Sequence, residues 1–310
     1  MNKISVIVPI FNEEKLLKEL HTRLIEAMTK FNSSFEIIFV NDGSLDKTGE
    51  VGKKIPSLTI ITLQRNYGQT AALDVGISHA TGDIIVLIDA DLQNDPQDIG
   101  LLLGKINDGY DVVVGWRQGR KDHWIRKLFS KLANMIARKL LDLDIHDFGC
   151  GLKVYRSKFI KDFPLWGESQ VFLPAVAKQR GAKIIEVPIP HYPREVGVSK
   201  IKIMNMVKGI FDLLGIVFFV RYAAKPLRFF GGLGLISGIL AAISFIVAIV
   251  LRIQGILNFT ETPLPVVGTS FTILSVLLFM IGFLAEMLLR LHYTLTKSSP
   301  HLIKEIKINK

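Results

Sequence analysis

The sequence predicts an α/β domain with a mostly parallel sheet, followed by two C-terminal helices that cross a membrane. Short β-branched runs alternate with helix-spaced segments through residues 1–200, as in sheets that carry helices on both faces. Two uncharged runs then follow, at residues 229–251 and 262–285. At about 1.5 Å per residue the first run would be about 34 Å long as a helix, against a hydrocarbon core of about 30 Å.

The composition excludes two classes of protein. A hydrophobic content of 49% with 21% charged residues is too apolar for a disordered chain, and a single cysteine excludes a disulfide-stapled secreted scaffold. The net charge of +10 favours nucleic acid, anionic lipid or phosphorylated molecules as partners. Residues 194–228 contribute +5 to this charge and residues 290–310 contribute +4. Because these stretches flank the apolar runs, we interpret the charge as facing lipid headgroups and phosphates rather than nucleic acid.

Hydrophobic periodicity predicts the strands and helices of the first 200 residues. The β-branched run 4–8 is typical of a buried strand, and residues 13–30 carry leucines at helical spacing. In sheets of this kind, ligands bind beyond the carboxyl ends of the strands. The predicted strands are residues 4–8, 35–40, 58–63, 84–88 and 112–114, and the predicted helices are residues 13–30, 70–79 and 96–107.

Polar side chains follow three of these strands. Asn12 and Glu13 come after the first strand, Asp42 after the second, and Asp89 and Asp91 after the fourth. One such aspartate alone would be interpreted as a turn former or a helix N-cap. Three strand ends together favour a ligand site, in which two carboxylates could hold Mg²⁺ with phosphate oxygens of a nucleotide. No GxxxxGK[ST] or GxGxxG segment adds support for phosphate binding.

Basic residues flank the apolar runs on one side of the membrane. Three precede the first run and five follow the second, whereas the connector carries only Arg252. The positive-inside rule therefore predicts that residues 1–200 and both termini are cytoplasmic. The first ten residues are strand-like rather than a signal peptide, which agrees with this orientation.

The segment before the first span and the prolines at the start of the second span set the boundaries of the membrane region. Residues 201–228 are predicted to form juxtamembrane amphipathic helices on the membrane surface, with a buried domain helix as the alternative. Pro263 and Pro265 are expected to delay the second span to residue 266. The predicted organisation is a cytoplasmic α/β domain at 1–200, juxtamembrane helices at 201–228, a transmembrane helix at 229–251, an extracytoplasmic connector at 252–265, a second transmembrane helix at 266–289 and a basic cytoplasmic tail at 290–310.

Three motifs at the strand ends resemble the signature of family 2 glycosyltransferases with a GT-A fold. They are VIVPIFNEE, VNDGSLDKT and DADLQNDPQ, in chain order. DFGCGLKVYR at 147–156 and EVPIPHYPREVGVSK at 186–200 are similar to segments of dolichol-phosphate mannose synthases. With two spans appended, the chain resembles the bacterial polyisoprenyl-phosphate glycosyltransferases, which move a sugar from a nucleotide donor onto a membrane lipid phosphate. The resemblance implies that residues 1–200 are a catalytic GT-A domain that binds a nucleotide sugar.

The resemblance also implies roles for individual residues. One set would bind the nucleotide sugar, with Asp42 against the base or ribose, and another would hold Mg²⁺ or Mn²⁺ on the donor pyrophosphate. A third set would receive the acceptor phosphate, although Arg117, Arg126 and Arg194 could instead be solvated surface residues. The implied sets are Pro9, Phe11, Glu13, Val40, Asp42, Asp89, Ala90, Arg194 and Lys200 for the nucleotide sugar, Asp89, Asp91 and Gln93 for the metal, and Arg117, Arg126 and Ser130 for the acceptor phosphate.

Asp91 and Asp147 are the implied catalytic residues. A phosphate monoester has a second pKa of about 6 and is already an anionic nucleophile at pH 7, so a strong general base is dispensable. Asp147 is therefore open between a weak base or orienting group and a structural residue. His191 is open between a metal or donor contact and a solvated loop histidine, and Lys153 stands where the relatives often carry arginine. A nucleophilic role is not expected for Cys150, because the sequence gives it no evident activating base.

The implied activity is inverting transfer of a hexose onto a polyprenyl phosphate such as undecaprenyl phosphate, for modification of cell-envelope glycans. The two-span relatives suggest glucose from UDP-glucose. The apolar runs predict an integral membrane protein, expected in a bacterial inner membrane, and their glycines favour a homo-oligomer, for which the resemblance implies a tetramer. The alternatives are a GDP-mannose-dependent mannosyltransferase, transfer to a diacylglycerol-type lipid, and a non-catalytic membrane protein that only binds nucleotide sugars. The aspartates at 89 and 91 and the paired Arg117 and Arg126 count against the last of these.

Overall fold

A computed structural model describes residues 3–31, 33–118, 134–165, 167, 169–190, 192, 215, 217–218, 222 and 225–296 of the chain. The chain divides into two compact units, Met1–Ile216 and Val217–Lys310. Several predicted positions lie outside the described residues, among them most of the juxtamembrane helices and the end of the basic tail. The predicted site residues that lie outside are Arg126, Ser130, His191, Arg194 and Lys200.

The described part of the first unit is built on one seven-stranded sheet, in the order β3-β2-β1-β4-β6-β5-β7. Neighbouring strands are parallel except at β6, which is antiparallel to both β4 and β5. The predicted mostly parallel sheet and all five predicted strands are confirmed, whereas β6 and β7 were not predicted. The strands are β1 Ile4–Ile10, β2 Phe35–Asn41, β3 Thr59–Thr62, β4 Ile84–Leu87, β5 Val112–Arg117, β6 Lys153–Arg156 and β7 Ile184–Ile189.

Helices cover both faces of this sheet. The first helix begins at Leu17 rather than at residue 13, because the preceding residues form turns against the loop after β2. The predicted helix 96–107 begins instead as a 3₁₀ turn, Pro96–Asp98, capped by the Asp95 side chain. Residues 134–141 are also helical. The labelled helices are α1 Leu17–Met28, α2 Thr48–Lys53, α3 Gln69–His79, α4 Ile99–Asn107 and α5 Leu173–Gln179.

Helices pack against both faces of the sheet at its central strand β1. Val6 and Val8 belong to the same buried cluster as residues of α1 and α4, which cover one face. On the other face α3 approaches β1 closely, since a Cβ on Gly76 would lie 2.4 Å from Cγ2 of Ile7. Burial of large aliphatic side chains at about 25 cal/mol per Å² stabilises this arrangement. The packed helices leave the carboxyl ends of β1, β2 and β4 at one edge of the sheet.

The second unit contains two antiparallel helices, α6 Pro226–Ile253 and α7 Leu264–Thr296. Serine hydroxyls link them: Ser237 donates to the Phe271 carbonyl at 2.8 Å, Ser244 to Leu264 at 2.8 Å and Ser275 back to Gly234 at 2.7 Å. Such small-residue contacts let apolar helices approach closely. Both helices are long and apolar enough to cross a membrane.

The second apolar helix starts earlier than predicted. It begins at Leu264 rather than at residue 266. Pro265 lies in the first turn, where a backbone N–H would have no helical partner, so the proline is accommodated there.

Candidate active site

The loops after β1 and β2 hold each other through reciprocal hydrogen bonds, which we call the loop brace. The Asn12 N–H donates to the Ser44 hydroxyl, and the Leu45 N–H donates to the Asn12 side-chain oxygen, each at 2.9 Å. The Glu13 N–H donates to the Thr48 hydroxyl at 2.9 Å. The polar residues of the first two sequence motifs therefore fix the shape of the sheet edge.

Asp42 attaches a third loop to the same edge. Its carboxylate is buried and accepts hydrogen bonds from the N–H groups of Tyr67 at 2.7 Å and Gly68 at 2.8 Å. The adjacent Gly43 has a φ of +63°, and a Cβ there would lie 2.3 Å from the carbonyl carbon of Arg65. Asp42 thus orders the loop that follows β3, and its expected contact with a base or ribose stays a prediction.

The other residues expected at the nucleoside differ in accessibility. Pro9, Phe11 and Glu13 are partly buried at the sheet edge. Val40 is fully buried, and a Cβ on Gly76 of α3 would lie 3.2 Å from its Cγ2. The Val40 side chain therefore packs in the core, so any contact of this residue with a nucleoside would come from its backbone.

Asp89 and Asp91 lie in the loop that follows β4. Oδ1 of Asp89 accepts a hydrogen bond from the Gln69 side-chain amide at 2.7 Å. Oδ1 of Asp91 accepts from the Gln93 N–H at 3.2 Å, while the intervening Leu92 has a φ of +55°. Burial and then the negative charge of Asp91 raise the pKa of Asp89 to about 6. Ala90 is buried between the two aspartates.

This pair of carboxylates fits a divalent cation. Burial and, after it, the charge of Asp91 raise the pKa of Asp89, and a bound cation would offset both. Within the described residues no group of three or more His, Cys, Asp or Glu side chains is placed to hold a metal ion. Mg²⁺ usually takes one or two carboxylates and completes its coordination with water and substrate phosphates. Asp89 and Asp91 therefore suit a metal shared with a diphosphate rather than a closed protein cage.

Gln93 joins this loop to the segment after β7. The Tyr192 N–H donates to the Gln93 carbonyl at 3.1 Å, and the Gln93 side-chain amide donates to the Tyr192 carbonyl at 3.5 Å. Tyr192 belongs to the same segment as Arg194 and Lys200, which lie outside the described residues. The contact brings the start of that segment to the predicted metal loop, and the ligand role of Gln93 stays a prediction.

Arg117 and Asp147 form a buried ion pair beside this loop. The guanidinium donates from Nε to Oδ2 at 2.7 Å and from Nη2 to Oδ1 at 2.8 Å, with side-chain exposures of 14% and 6%. Burial opposes the charge of Arg117, but the hydrogen bonds and charge of Asp147 outweigh it and raise the pKa of Arg117. The Asp147 N–H donates to Glu186 at 2.9 Å. Because both Asp147 oxygens bind a guanidinium, this geometry favours the structural role over the base.

A cavity of about 80 Å³ lies behind Asp89. Lys153 contributes the cation in its lining, and its ammonium group donates to the carbonyls of Gln170 at 3.3 Å and Val171 at 3.2 Å. Burial lowers the pKa of Lys153 to about 8. Burial also raises the pKa of the Cys150 thiol to about 12, which makes it a poor nucleophile.

Sequence reasoning missed two residues that position Asp89. Gln69 could not be identified from the sequence. Nothing distinguishes a glutamine whose side chain binds a loop 20 residues later from any other glutamine at the start of a helix. Gly151 could have been found, since paired glycines around Cys150 can indicate a close approach. A Cβ at Gly151 would lie 2.0 Å from Oδ2 of Asp89.

The Gly151→Ala variant is expected to bind metal more weakly while remaining folded. The added methyl group cannot coexist with the Asp89 carboxylate at 2.0 Å, so that carboxylate must move. We expect Mn²⁺ affinity in the presence of UDP to fall about tenfold or more, equivalent to about 1.4 kcal/mol. Electron paramagnetic resonance of free Mn²⁺ measures this change.

Gly104→Ala is the matched control, because a Cβ at this position in α4 would meet nothing within 4 Å. It should bind Mn²⁺ as the unmodified chain does and gain up to about 1 kcal/mol of stability. Unchanged Mn²⁺ binding in Gly151→Ala would contradict the assignment of Asp89 as a ligand.

Metal binding is also expected to depend on pH through Asp89. Below a pKa of about 6 the carboxyl takes up a proton, and the proton then competes with the cation. Mn²⁺ affinity should therefore be nearly constant above pH 7 and fall about tenfold per pH unit below pH 6. Calorimetric titration at pH 5, 6, 7 and 8 tests this, and an affinity independent of pH over this range would count against the role of Asp89.

Comparison with known proteins places the chain among sugar transferases. The family model for glycosyl transferase family 2 matches residues 5–163. A dodecaprenyl-phosphate galacturonate synthase of Rhizobium johnstonii is 38% identical over 98% of this chain and 93% of its own length. An undecaprenyl-phosphate 4-deoxy-4-formamido-L-arabinose transferase of an Enterobacter species is 36% identical over 82% of this chain and 77% of its own length.

Solved structures agree on the fold. Glucosyl-3-phosphoglycerate synthase from Mycobacterium tuberculosis, in complex with Mn²⁺ and UDP-glucose, matches with a TM-score of 0.54 at 18% identity. The match covers 70% of this chain and 79% of that one. The GT-A-like α/β fold expected from the motifs is confirmed by this likeness.

Proposed function

Because the chain belongs to glycosyl transferase family 2, we propose that it acts as a polyprenyl-phosphate glycosyltransferase. It moves a hexose from a UDP-sugar onto a membrane polyprenyl phosphate such as undecaprenyl phosphate. The observation that carries the proposal is the carboxylate pair Asp89 and Asp91 beyond β4, at the edge fixed by the loop brace. That edge is where parallel sheets bind nucleotides. The sequence resemblance favours UDP-glucose as the donor, whereas the relatives are named for galacturonate and formamido-arabinose. The identity of the sugar is therefore determined by the donor panel described below.

The chemistry proposed is a displacement with inversion. An oxygen of the acceptor phosphate attacks the anomeric carbon, the bond from that carbon to the diphosphate oxygen breaks, and UDP leaves with the bonding electrons. No proton needs to move, because the acceptor phosphate is already anionic at pH 7. A bound Mg²⁺ or Mn²⁺ would stabilise the charge that develops on the departing diphosphate.

The residues of the chain divide the remaining tasks. Asp89 and Asp91 would hold the metal, and Gln69 orients Asp89. Asp42 fixes the loop beside the nucleoside. Arg117, held by Asp147, would stand near the acceptor phosphate, and Arg126, Ser130, Arg194 and Lys200 remain predicted phosphate contacts.

The membrane helices support a lipid acceptor. Each CH₂ of a polyprenyl tail favours the bilayer by about 0.8 kcal/mol, so the acceptor stays there and the enzyme must act at the membrane. We propose that α6 and α7 span the inner membrane, with the catalytic unit and both termini cytoplasmic. A homo-oligomer, with a tetramer as the expected form, stays a prediction.

Transfer of radiolabel from donor to lipid tests the proposal. Membranes containing the full chain are incubated in Mg²⁺ with labelled UDP-glucose, UDP-galactose, UDP-galacturonic acid, UDP-N-acetylglucosamine or GDP-mannose, and lipids are then extracted. We expect at least one UDP-sugar to label undecaprenyl phosphate, and EDTA to stop the labelling. Undecaprenol without its phosphate and diacylglycerol are the acceptor controls. Equal labelling of either control, or labelling from GDP-mannose alone, would contradict the proposal.

A further inference from the structure

Glu186 on β7 binds the loop that carries Asp147. Its side chain is 7% exposed, and its Oε1 accepts from the Asp147 N–H at 2.9 Å. Its two oxygens also share the His146 N–H, at 2.9 and 3.0 Å. Nδ1 of His146 lies 2.9 Å from Oε2, where it donates to the carboxylate. One buried carboxylate thus binds three donors of two consecutive residues, an arrangement that we call the Glu186 clamp.

The clamp fixes the peptide unit that joins His146 to Asp147. Its N–H is bound by Glu186, and its carbonyl accepts from the Asn134 side-chain amide at 2.8 Å. The His146 ring also stacks on Trp116, with 4.6 Å between the ring centroids and 18° between the planes. Because both polar groups of this peptide unit are bonded, its orientation is set from β7.

This orientation determines where the Asp147 carboxylate points, and hence where Arg117 lies. Asp147 accepts from Nε and Nη2 of Arg117 at 2.7 and 2.8 Å, and a two-bond pair of this kind fixes the plane of the guanidinium. A guanidinium has five N–H groups, and the described residues bind two of those on Arg117. The charge of Arg117 also reaches Asp89, whose pKa it lowers against the larger effect of burial. Three N–H groups therefore remain for an anion beside the predicted metal loop.

Strand pairing does not explain a carboxylate at position 186. β7 is joined to β5 through six residue pairs, in which Glu186 lies opposite Val114. A buried carboxylate is unfavourable unless its oxygens are bonded, and the printed partners of Glu186 all belong to the loop of Asp147. An apolar residue at this position would complete the strand but would leave that loop without its clamp.

We propose that Glu186 is a positioning residue, which holds Asp147 so that the remaining N–H groups of Arg117 face the acceptor phosphate. This inference rests on the proposed function, in which Arg117 stands near that phosphate. Breaking the clamp leaves the ion pair of Arg117 and Asp147 chemically intact but free to shift. Since displacements of about 1 Å can reduce catalysis about a hundredfold, the effect should fall on the acceptor rather than on the donor.

Glu186→Gln tests the inference in the full chain in detergent. Glutamine keeps the size of the side chain and one accepting oxygen, but its NH₂ group would face N–H donors. We expect the KM for undecaprenyl phosphate to rise about tenfold and the KM for the UDP-sugar to change less than twofold. Both are measured with the labelled donor that is active in the donor panel, and the Tm shows that the variant is folded.

His146→Ala is a milder break of the same clamp, because it removes one donor from a side chain that is 43% exposed. It should raise the KM for undecaprenyl phosphate about threefold, again without changing the KM for the donor. This variant tests the clamp even where Glu186→Gln lowers the Tm.

A double-mutant cycle shows whether Glu186 acts through Asp147. In a chain that already carries Asp147→Asn, Glu186→Gln should change the KM for undecaprenyl phosphate by less than about twofold. A carboxylate that served only the fold would have the same effect in both backgrounds.

Glu36→Gln is the matched control. Glu36 is also a strand carboxylate with several donors, among them the Thr81 N–H at 2.8 Å and the Lys3 ammonium group at 2.9 Å. It lies on β2 opposite Ser5, at the other end of the sheet from Asp42 and Asp89. Its loss should lower the Tm and leave both KM values unchanged.

Three results would overturn the role of Glu186: an unchanged KM for undecaprenyl phosphate in Glu186→Gln, an equal rise of both KM values, or additive effects in the cycle. Each of them would leave the proposed function standing, because the unmodified chain would still transfer sugar to the lipid. Absence of that transfer in the unmodified chain would instead overturn the proposed function, and the role of Glu186 with it.

Discussion

Replacing Asp91 with asparagine is expected to lower kcat/KM for sugar transfer by about a thousandfold, equivalent to about 4 kcal/mol of transition-state stabilisation. Asparagine retains the oxygen that accepts from the Gln93 N–H, so the turn should persist. What is lost is one of the two charges that would hold the metal against the departing diphosphate. The stability of the fold should therefore change little while transfer almost stops.

Asp95→Asn is the control for Asp91→Asn. Asp95 lies four residues further along the same loop, where its side chain caps the 3₁₀ turn by accepting from the Gln97 N–H at 2.9 Å. Asparagine is an equally good cap, so this variant should transfer sugar at close to the unmodified rate. Transfer is measured with labelled donor in Mg²⁺ and in EDTA. Full activity of Asp91→Asn, or of the unmodified chain in EDTA, would refute the metal assignment.

Replacing Asp147 with alanine is expected to lower the free energy of unfolding of the catalytic unit by about 3–5 kcal/mol. The change leaves the Arg117 guanidinium buried without its partner, which is more unfavourable than removing both charges. A double-mutant cycle of Arg117→Met, Asp147→Leu and both together should therefore show that the double variant is more stable than the sum of the single effects predicts. Chemical denaturation of the full chain in detergent measures the three values.

Asp144→Ala is the control for this cycle. Asp144 is 91% exposed and pairs with Arg138 at 3.5 Å, so its loss should change stability by less than about 1 kcal/mol. The pH dependence of kcat distinguishes the alternative role of Asp147. If Asp147 were the general base, Asp147→Asn would leave stability unchanged and remove an acidic limb from the pH profile; that outcome would contradict the structural role.

The sequence predicted the strands that follow a simple pattern and missed those that do not. β1, β2 and β4 each contain a run of at least three consecutive apolar residues, which is typical of a buried strand. β6 begins with Lys153, whose charge interrupts the apolar pattern, and its partners lie about 40 and 70 residues away in the chain. β7 contains Pro188, which is tolerated because this strand lies at the edge of the sheet.

The candidate site was predictable to the same extent. Strand ends placed Asp42, Asp89 and Asp91 at one edge, and the structure brings their loops together there. The partners that decide what each carboxylate does were not predictable, because they come from distant segments. Asp147 was open between a base and a structural residue until its contact with Arg117, 30 residues earlier, was known.

The loop brace has a consequence for the evolution of this fold. Asn12, Ser44 and Thr48 bind one another's loops, so the shape of the sheet edge depends on them whether or not a sugar is transferred. A descendant that lost catalysis would still need these residues in order to fold. Pseudoenzymes derived from such a chain should therefore keep the first two motifs and be recognisable by substitutions at Asp89, Asp91 or Gly151.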